Sequence, residues 1–363
     1  MQSQPDGAPI LCVVGARPNF MKIAPVIRAL NATSPPVPVR LVHTGQHYDS
    51  DMNSQYFRAL AIPDPDINLE VGSGSHAVQT AEIMRRFEPV LDREQPAAVL
   101  VVGDVNSTLA CALVAVKKGV AVIHVEAGLR SFDRAMPEEI NRLITDQLAD
   151  ILFTPSADGN ENLEREGIPA ERVHLVGNVM IDTVLQMLPS SEKHIPSGLP
   201  AKFALVTMHR PSNVDDPEWL SCLVKTLTDL SSEIDILFPV HPRTRERIHQ
   251  LGLNGAGKIR WMDPASYLAF LALQKNAKLV ITDSGGIQEE TTFLGVPCLT
   301  MRENTERPVT VTVGTNQLVG RDFARLRTEF RKILTGEAKK GDRPPLWDGK
   351  AADRIAQVLA STM

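Results

Sequence analysis

The chain has 363 residues, 43% of them hydrophobic and 22% charged, with a net charge of −5; at roughly 150 residues per domain this is room for two domains of ordinary soluble composition. The acidic balance leaves no basic excess to neutralise a nucleic-acid backbone, and no apolar run reaches the roughly 20 residues that a bilayer helix needs, so neither nucleic acid nor a membrane is an expected partner. The polar start, Met1–Gly7, lacks the basic-then-apolar pattern of an export signal, which makes the cytoplasm the expected compartment.

Apolar strand-like runs alternate with amphipathic helical stretches throughout, the pattern of parallel α/β architecture. In chain order, the first half predicts strands over Ile10–Gly15, Val39–Thr44, Ala98–Val102, Val120–Val125, Ile151–Phe153 and Val173–Val176. Helices such as Asn106–Lys118 and Pro137–Ala149 fall between them. Leu188–Pro200 is rich in Pro and Ser and reads as a linker. The second half predicts strands over Phe203–Thr207, Ile236–Pro239, Ile259–Trp261, Leu279–Ile281, Pro297–Thr300 and Gln317–Val319, again with helices between. A short amphipathic helix, Ala351–Leu359, closes the chain. The expectation is two doubly wound Rossmann-like domains facing a cleft: residues 1–187, a linker at 188–200, residues 201–345, and a segment 346–363 whose helix packs back on the first domain. Ligands bind at the carboxyl edge of such sheets.

Several polar clusters follow predicted strands, where a site is expected. Gly15–Lys22 comes after the first strand but is not G-x-G-x-x-G, so the nicotinamide and flavin fingerprint is missing. Its Arg17 and Lys22 are cations suited to a pyrophosphate. Asp104 and Glu126 each follow a buried strand, where partial desolvation moves a carboxyl toward the range useful for proton transfer. Asp104 could equally cap the next helix, and Glu138, just after Pro137, could simply favour a positive helix start. His124 lies on a strand and reads as a satisfied core histidine. In the second half, His209 and Arg210 offer a proton-transfer group beside a phosphate-pairing cation. His241 and Arg307 repeat the pattern after later strands. Thr282–Glu290 places glycines where a strand gives way to a helix, an arrangement that holds a phosphate on backbone N–H groups without a metal. Glu290 lies about one turn into that helix, within reach of a nucleotide sugar. The two D-x-D pairs, Asp49–Asp51 and Asp64–Asp66, read as solvated turns, and the four scattered cysteines form no C-x-x-C pair. No metal motif and no G-x-S-x-G elbow is present. From the residues alone, the set suits a pyrophosphate leaving group beside carbon chemistry that needs proton transfer; a transferase, a sensor and an isomerase all remain open.

The segments Gly15–Pro18, Thr44–His47, Gly103–Asp104, His124–Arg130, Pro137–Glu139, His209–Arg210, Asp283–Glu290 and Thr305–Pro308 stand in the order and with the spacing of one family. Over nearly its full length the chain resembles the non-hydrolysing UDP-N-acetylglucosamine 2-epimerases. The resemblance implies a two-domain fold like that of the GT-B glycosyltransferases. It implies interconversion of UDP-N-acetylglucosamine and UDP-N-acetylmannosamine, by anti elimination of UDP through 2-acetamidoglucal and syn re-addition, without cofactor or metal. It implies a homodimer. It matches Asp104, Glu126, Glu138 and His209 to the catalytic group. Arg17, Lys22, Ser284, Gly285, Gly286, Glu290 and Arg307 match positions that hold UDP, with Arg210 and His241 beside them and Phe270 on the uracil side. Two segments depart from the bacterial branch: Gln46–Asp49, and His209–Asn213, where Pro211 and Ser212 stand in place of that branch's Arg-Glu. These segments line a second UDP-sugar site in that branch, so substrate activation does not carry across. Relatives acting on UDP-2,3-diacetamido uronic acids, and hydrolysing epimerases that release N-acetylmannosamine, are the alternatives, with a GT-B glycosyltransferase further behind.

Overall fold

The computed structural model of the chain describes residues 7–46, 62–253 and 257–362, apart from the side chains of Arg17 and Arg243. The chain divides into two compact units: Met1–Thr183 together with Pro345–Met363, and Val184–Pro344.

The first unit is built on a seven-stranded, all-parallel sheet in the order β3-β2-β1-β4-β5-β6-β7. Its strands are β1 (Ile10–Val14), β2 (Val39–His43), β3 (Ile67–Asn68), β4 (Ala98–Val102), β5 (Ala121–Val125), β6 (Ile151–Thr154) and β7 (Val173–Leu175). Helices cover both faces, so central strands are buried on both sides and read as unbroken apolar runs; β1 and β4 are buried at every position. One face packs Leu11, Val13, Val99 and Val101 against Phe87 and Leu91 of the helix His76–Glu94 and Ala110–Ala115 of the helix Asn106–Lys117. The chain order reverses between β1 and β4. That switch point leaves a crevice at the carboxyl ends of the strands.

The second unit repeats the plan with six parallel strands in the order β10-β9-β8-β11-β12-β13. They are β8 (Phe203–Thr207), β9 (Asp235–Pro239), β10 (Ile259–Met262), β11 (Leu279–Thr282), β12 (Cys298–Thr300) and β13 (Asn316–Leu318). Alternation along β8 splits the core in two. Ala204 and Val206 face the cluster with Leu223, Leu227 and Phe330, while Phe203 and Leu205 face the cluster with Leu237, Leu273 and Val280. The switch point here lies between β8 and β11.

Three expectations change. The segment Leu188–Pro200 is not irregular from its start, because the helix Val179–Ser191 runs through Pro189 into a short 3-10 turn, Glu192–His194. Buried Val179, Met180, Ile181, Val184 and Met187 hold that helix against the local preference of a proline's neighbour to leave it. The strand β3 has only two residues and was not expected. Of the D-x-D pairs, Asp66 accepts from the Leu41 amide at 2.7 Å and lies near Arg40, while Asp49–Asp51 and the motif residues His47–Asp49 lie outside the described residues. Cys12, Cys111 and Cys298 are buried and free. Among the described residues no helix is long and apolar enough to cross a membrane.

Candidate active site

In the first unit, the polar residues expected of a site gather where β1, β4 and β5 end. Asn19, near the start of the helix Arg17–Asn31, accepts from the Gly15 and Ala16 amides at 3.1 and 3.0 Å and donates to the Val102 carbonyl at 3.0 Å. One side chain thus ties the turn after β1 to the end of β4. Arg17 heads this helix, but its side chain lies outside the described residues. Lys22, one turn beyond Asn19, is buried and sits 2.6 Å from the equally buried Glu126 carboxylate. Lys22 is thereby tied to an acid, where the sequence suggested a cation for pyrophosphate. Glu126 has φ of 73°, in the left-handed region. Such a conformation costs on the order of 1 kcal/mol for a non-glycine residue and persists where the surroundings over-determine it, commonly at working sites. Here the Glu126 amide donates to the Phe153 carbonyl at 3.0 Å and the side chain to Lys22 fixes the other end.

Asp104 does not cap the next helix; that place belongs to Val105. Its carboxylate instead accepts from the buried Arg142. Arg142 is gripped in turn by Glu139, with contacts of 2.8 and 3.0 Å. The Glu139 carboxylate also accepts from the amides of Ser131 and Phe132, both at 2.9 Å. Burial pushes the Glu139 carboxyl up, but the Ser131 amide and Arg142 outweigh it and hold it below the usual carboxylate range. Glu138 is half-buried in the first turn of the helix Pro137–Leu148. It lies four residues before Arg142, hence on the same helix face as the residue that holds Asp104.

In the second unit, His209 and Arg210 follow β8, and Asp283–Gly286 follows the adjacent β11. Asp283 is fully buried and binds the two segments together. It accepts from the amides of His209 and Arg210 at 3.1 and 3.0 Å and from Asn213 Nδ2 at 3.1 Å. Its carboxylate is also 3.0 Å from His209 Nδ1. Burial pushes Asp283 up, and the His209 ring, the Arg210 amide and Asn213 together pull it below its ordinary value. With Nδ1 so engaged, the imidazole of His209, 54% exposed, presents Nε2 outward. The Arg210 guanidinium reaches back to the Asp283 carbonyl at 3.1 Å and braces the glycine turn.

Ser284 occupies the N-cap of the helix Gly285–Leu294, whose first-turn N–H groups point out of its end. A Cβ on Gly285 would meet Arg307 Nη1 at 2.6 Å and Glu306 Oε1 at 2.7 Å, whereas one on Gly286 would meet nothing within 4 Å. Gly285 therefore makes room for a protein group, and Gly286 leaves open space over the helix end. Arg307 is buried between Glu289, at 2.8 Å, and Glu306, which also pairs with Arg302 at 2.7 Å. Two arginines and two glutamates balance there, so Arg307 is a paired cation packed beneath the glycine turn. Glu290 is buried and accepts from Gln274 Nε2 at 2.5 Å and from the Tyr267 hydroxyl at 3.2 Å. Burial dominates and raises its carboxyl to about 7. Phe270 is half-buried on the helix Tyr267–Asn276 against the Leu205–Leu237 cluster. His241 is exposed just beyond β9.

The sign of the Glu290 shift fixes an expected result. A folded-state carboxyl raised from about 4.3 to about 7 favours folding fully below the lower value, and that contribution is lost as pH rises through about 7. Glu290→Gln should remove this slope, so its melting temperature relative to the parent rises between about pH 5 and pH 8. A constant difference in melting temperature across that range would show that Glu290 ionises normally.

The family profile described as UDP-N-acetylglucosamine 2-epimerase matches residues 28–360. The chain belongs to the UDP-N-acetylglucosamine 2-epimerase family. A family relative, the UDP-N-acetylglucosamine 2-epimerase of Methanocaldococcus jannaschii, is 42% identical over 96% of this chain and 97% of its own. The UDP-2,3-diacetamido-2,3-dideoxy-D-glucuronate 2-epimerase of Pseudomonas aeruginosa is 41% identical over 97% of this chain and 99% of its own. The crystal structure of the M. jannaschii enzyme in complex with UDP-GlcNAc and UDP superposes with a TM-score of 0.88 at 41% identity, covering 97% of this chain and 99% of that one. The two units share the GT-B-like architecture of these epimerases.

Against this epimerase framework, the structure brings Lys22, Asp104, Glu126 and Glu138 to one edge of the first unit. It brings His209, Arg210, Ser284, Gly285, Gly286 and Arg307 to the corresponding edge of the second. Phe270 lies on the helix Tyr267–Asn276, and His241 follows β9. Sequence reasoning missed Arg142, Glu139 and Asp283 as supports. Only the i,i+3 spacing of Glu139 and Arg142 gave a signal for the first pair, and position before Ser284 the signal for the third.

Proposed function

We propose that the chain interconverts UDP-N-acetylglucosamine and UDP-N-acetylmannosamine by elimination and re-addition of UDP. The reading rests on one observation above the rest: the first unit holds a group of carboxylates at its sheet's switch point, and the second carries an open glycine-headed helix at its own. A carboxylate of the first group takes the C2 proton as the C1–oxygen bond breaks, and UDP departs with the bonding electrons, leaving 2-acetamidoglucal. UDP then adds back to C1 while a proton is delivered to the opposite face of C2. Departing UDP gains charge, which the N–H groups after Ser284 and the helix end stabilise. Gly286 allows the phosphates to approach. Glu290 accepts the ribose hydroxyls in its ionised form. His209 Nε2, aimed by Asp283, donates toward the leaving group or its neighbours. Lys22, 2.6 Å away, fixes where the Glu126 carboxylate stands.

Incubation with UDP-N-acetylglucosamine in deuterated water should place deuterium at C2 and yield the manno epimer by NMR. Absence of both sinks the proposal for that substrate. Running UDP-2,3-diacetamido-2,3-dideoxy-D-glucuronate in the same panel identifies the sugar; free UDP accumulating at completion would instead mark a hydrolysing enzyme.

A further inference from the structure

We propose that His124 is a buried imidazolium that positions the Gly103–Asp104 turn, and through it the acids of the first unit. The inference rests on the proposed reaction only for its kinetic consequence; the protonation state stands on geometry.

His124 lies on β5 and is fully buried. Its Nε2 is 2.8 Å from the Gly103 carbonyl, an acceptor with no proton to give, so Nε2 carries a hydrogen. Its Nδ1 is 2.6 Å from Asp146 Oδ1. The other Asp146 oxygen is 2.7 Å from Arg130 Nη1 and accepts from the Gly128 amide at 3.1 Å. A carboxyl in that company is ionised. Nδ1 therefore donates as well, and a ring with two N–H donors is cationic.

The charge count agrees. Arg130 forms a two-pronged pair with Glu166 at 2.8 and 2.6 Å. Asp146 and Glu166 supply two negative charges, Arg130 one positive. The network balances when His124 supplies the second. A neutral ring would leave an uncompensated buried carboxylate, or set a ring lone pair against the Gly103 carbonyl. The nearby charged groups on the same elements have partners of their own: Arg142 holds both Glu139 and Asp104, and Lys22 holds Glu126.

The held turn is the one that matters for the acids. Gly103 has φ of 66°, donates its amide to the Val125 carbonyl at 3.0 Å, and lies so close to Lys22 that a Cβ would come 3.0 Å from Nζ. Asp104 follows it directly. The helix Pro137–Leu148 thus clamps the Gly103–Asp104 segment twice, by Arg142 on the carboxylate and by Asp146 through His124 on the preceding carbonyl.

The test uses the full-length protein with 15N-labelled histidine. The resonance that disappears in His124→Gln should show two protonated ring nitrogens at about pH 8.5, where a free imidazole is neutral. A single protonated nitrogen at that pH overturns the proposal. Asp146→Asn keeps the volume, lets Nε2 still donate to Gly103, and removes the counter-charge. It should lower kcat about 10²-fold, the scale of a small misplacement of a working group, with UDP affinity by calorimetry unchanged. A folded Asp146→Asn with normal kcat, or with UDP affinity lost alongside kcat, overturns the positioning role. The His124 ring is also assigned by its through-space contacts with the Gly103 and Asp146 backbone, so if both variants fail to fold the wild-type spectrum decides alone. If wild-type protein never turns over UDP-N-acetylglucosamine, the functional reading fails while the spectrum still decides the charge on His124.

Discussion

Glu126→Gln should lower turnover at least about 10²-fold, the low end for a lost general acid or base, while UDP affinity stays unchanged. The two effects separate because Glu126 sits at the end of β5 in the first unit, whereas the glycine turn proposed to hold UDP follows β11 in the second. The same change should weaken the fold. Lys22 and Glu126 are both almost fully buried and 2.6 Å apart, and removing one partner of such a pair leaves an uncompensated cation, at a cost of about 3–5 kcal/mol. Lys22→Met combined with Glu126→Gln should therefore recover much of the lost denaturant midpoint and none of the turnover. Near-normal turnover in the single variant removes Glu126 from the acid–base group. A double variant as unstable as the single one would show that the pair is not what Glu126 contributes to stability.

Asp283→Asn is expected to act on both functions at once. Asp283 is an acceptor surrounded by donors: two amides, Asn213 and the His209 ring. An amide side chain offers one acceptor oxygen and turns an N–H group toward the remaining donors. His209 then loses the partner that selects its tautomer, and a buried carboxylate behind a working histidine is worth about 10²–10⁴-fold in kcat in comparable arrangements. Because Ser284–Gly286 follow immediately and Arg210 braces the Asp283 carbonyl, UDP affinity should drop as well. Calorimetry with UDP beside turnover separates this outcome from that of Glu126→Gln. A variant that loses turnover but binds UDP normally would confine Asp283 to orienting His209.

The strands were legible because burial on both faces of a parallel sheet writes them as unbroken apolar runs. Asp104, Glu126, His209 and the glycine turn were legible for the related reason that each follows such a run. What the sequence left unread is mostly pairing across elements. Lys22 and Glu126 are far apart in the chain, and nothing local says that one cation meets that acid. Arg142 reads as an ordinary helix arginine until the fold sets it against Asp104. The proline in Leu188–Pro200 suggested a break, and only the buried residues before it keep the helix going to Ser191. The two residues of β3 are too few to leave a periodic signal.

The second unit is one uninterrupted stretch, Val184–Pro344, whereas the first is completed by Pro345–Met363. In that returning segment Trp347 Nε1 donates to the Pro155 carbonyl at 3.0 Å, and Asp182 accepts from the Ala352 amide at 2.9 Å at the head of the helix Ala351–Thr362. On the ribosome, then, the unit that is made first is finished last. All seven strands of the first sheet are synthesised before Val184, yet the helix that packs on Arg17–Asn31 emerges only after the whole second unit has been made. Until Pro345–Met363 is made, the Pro155 carbonyl and the Asp182 carboxylate lack the partners that this segment brings them.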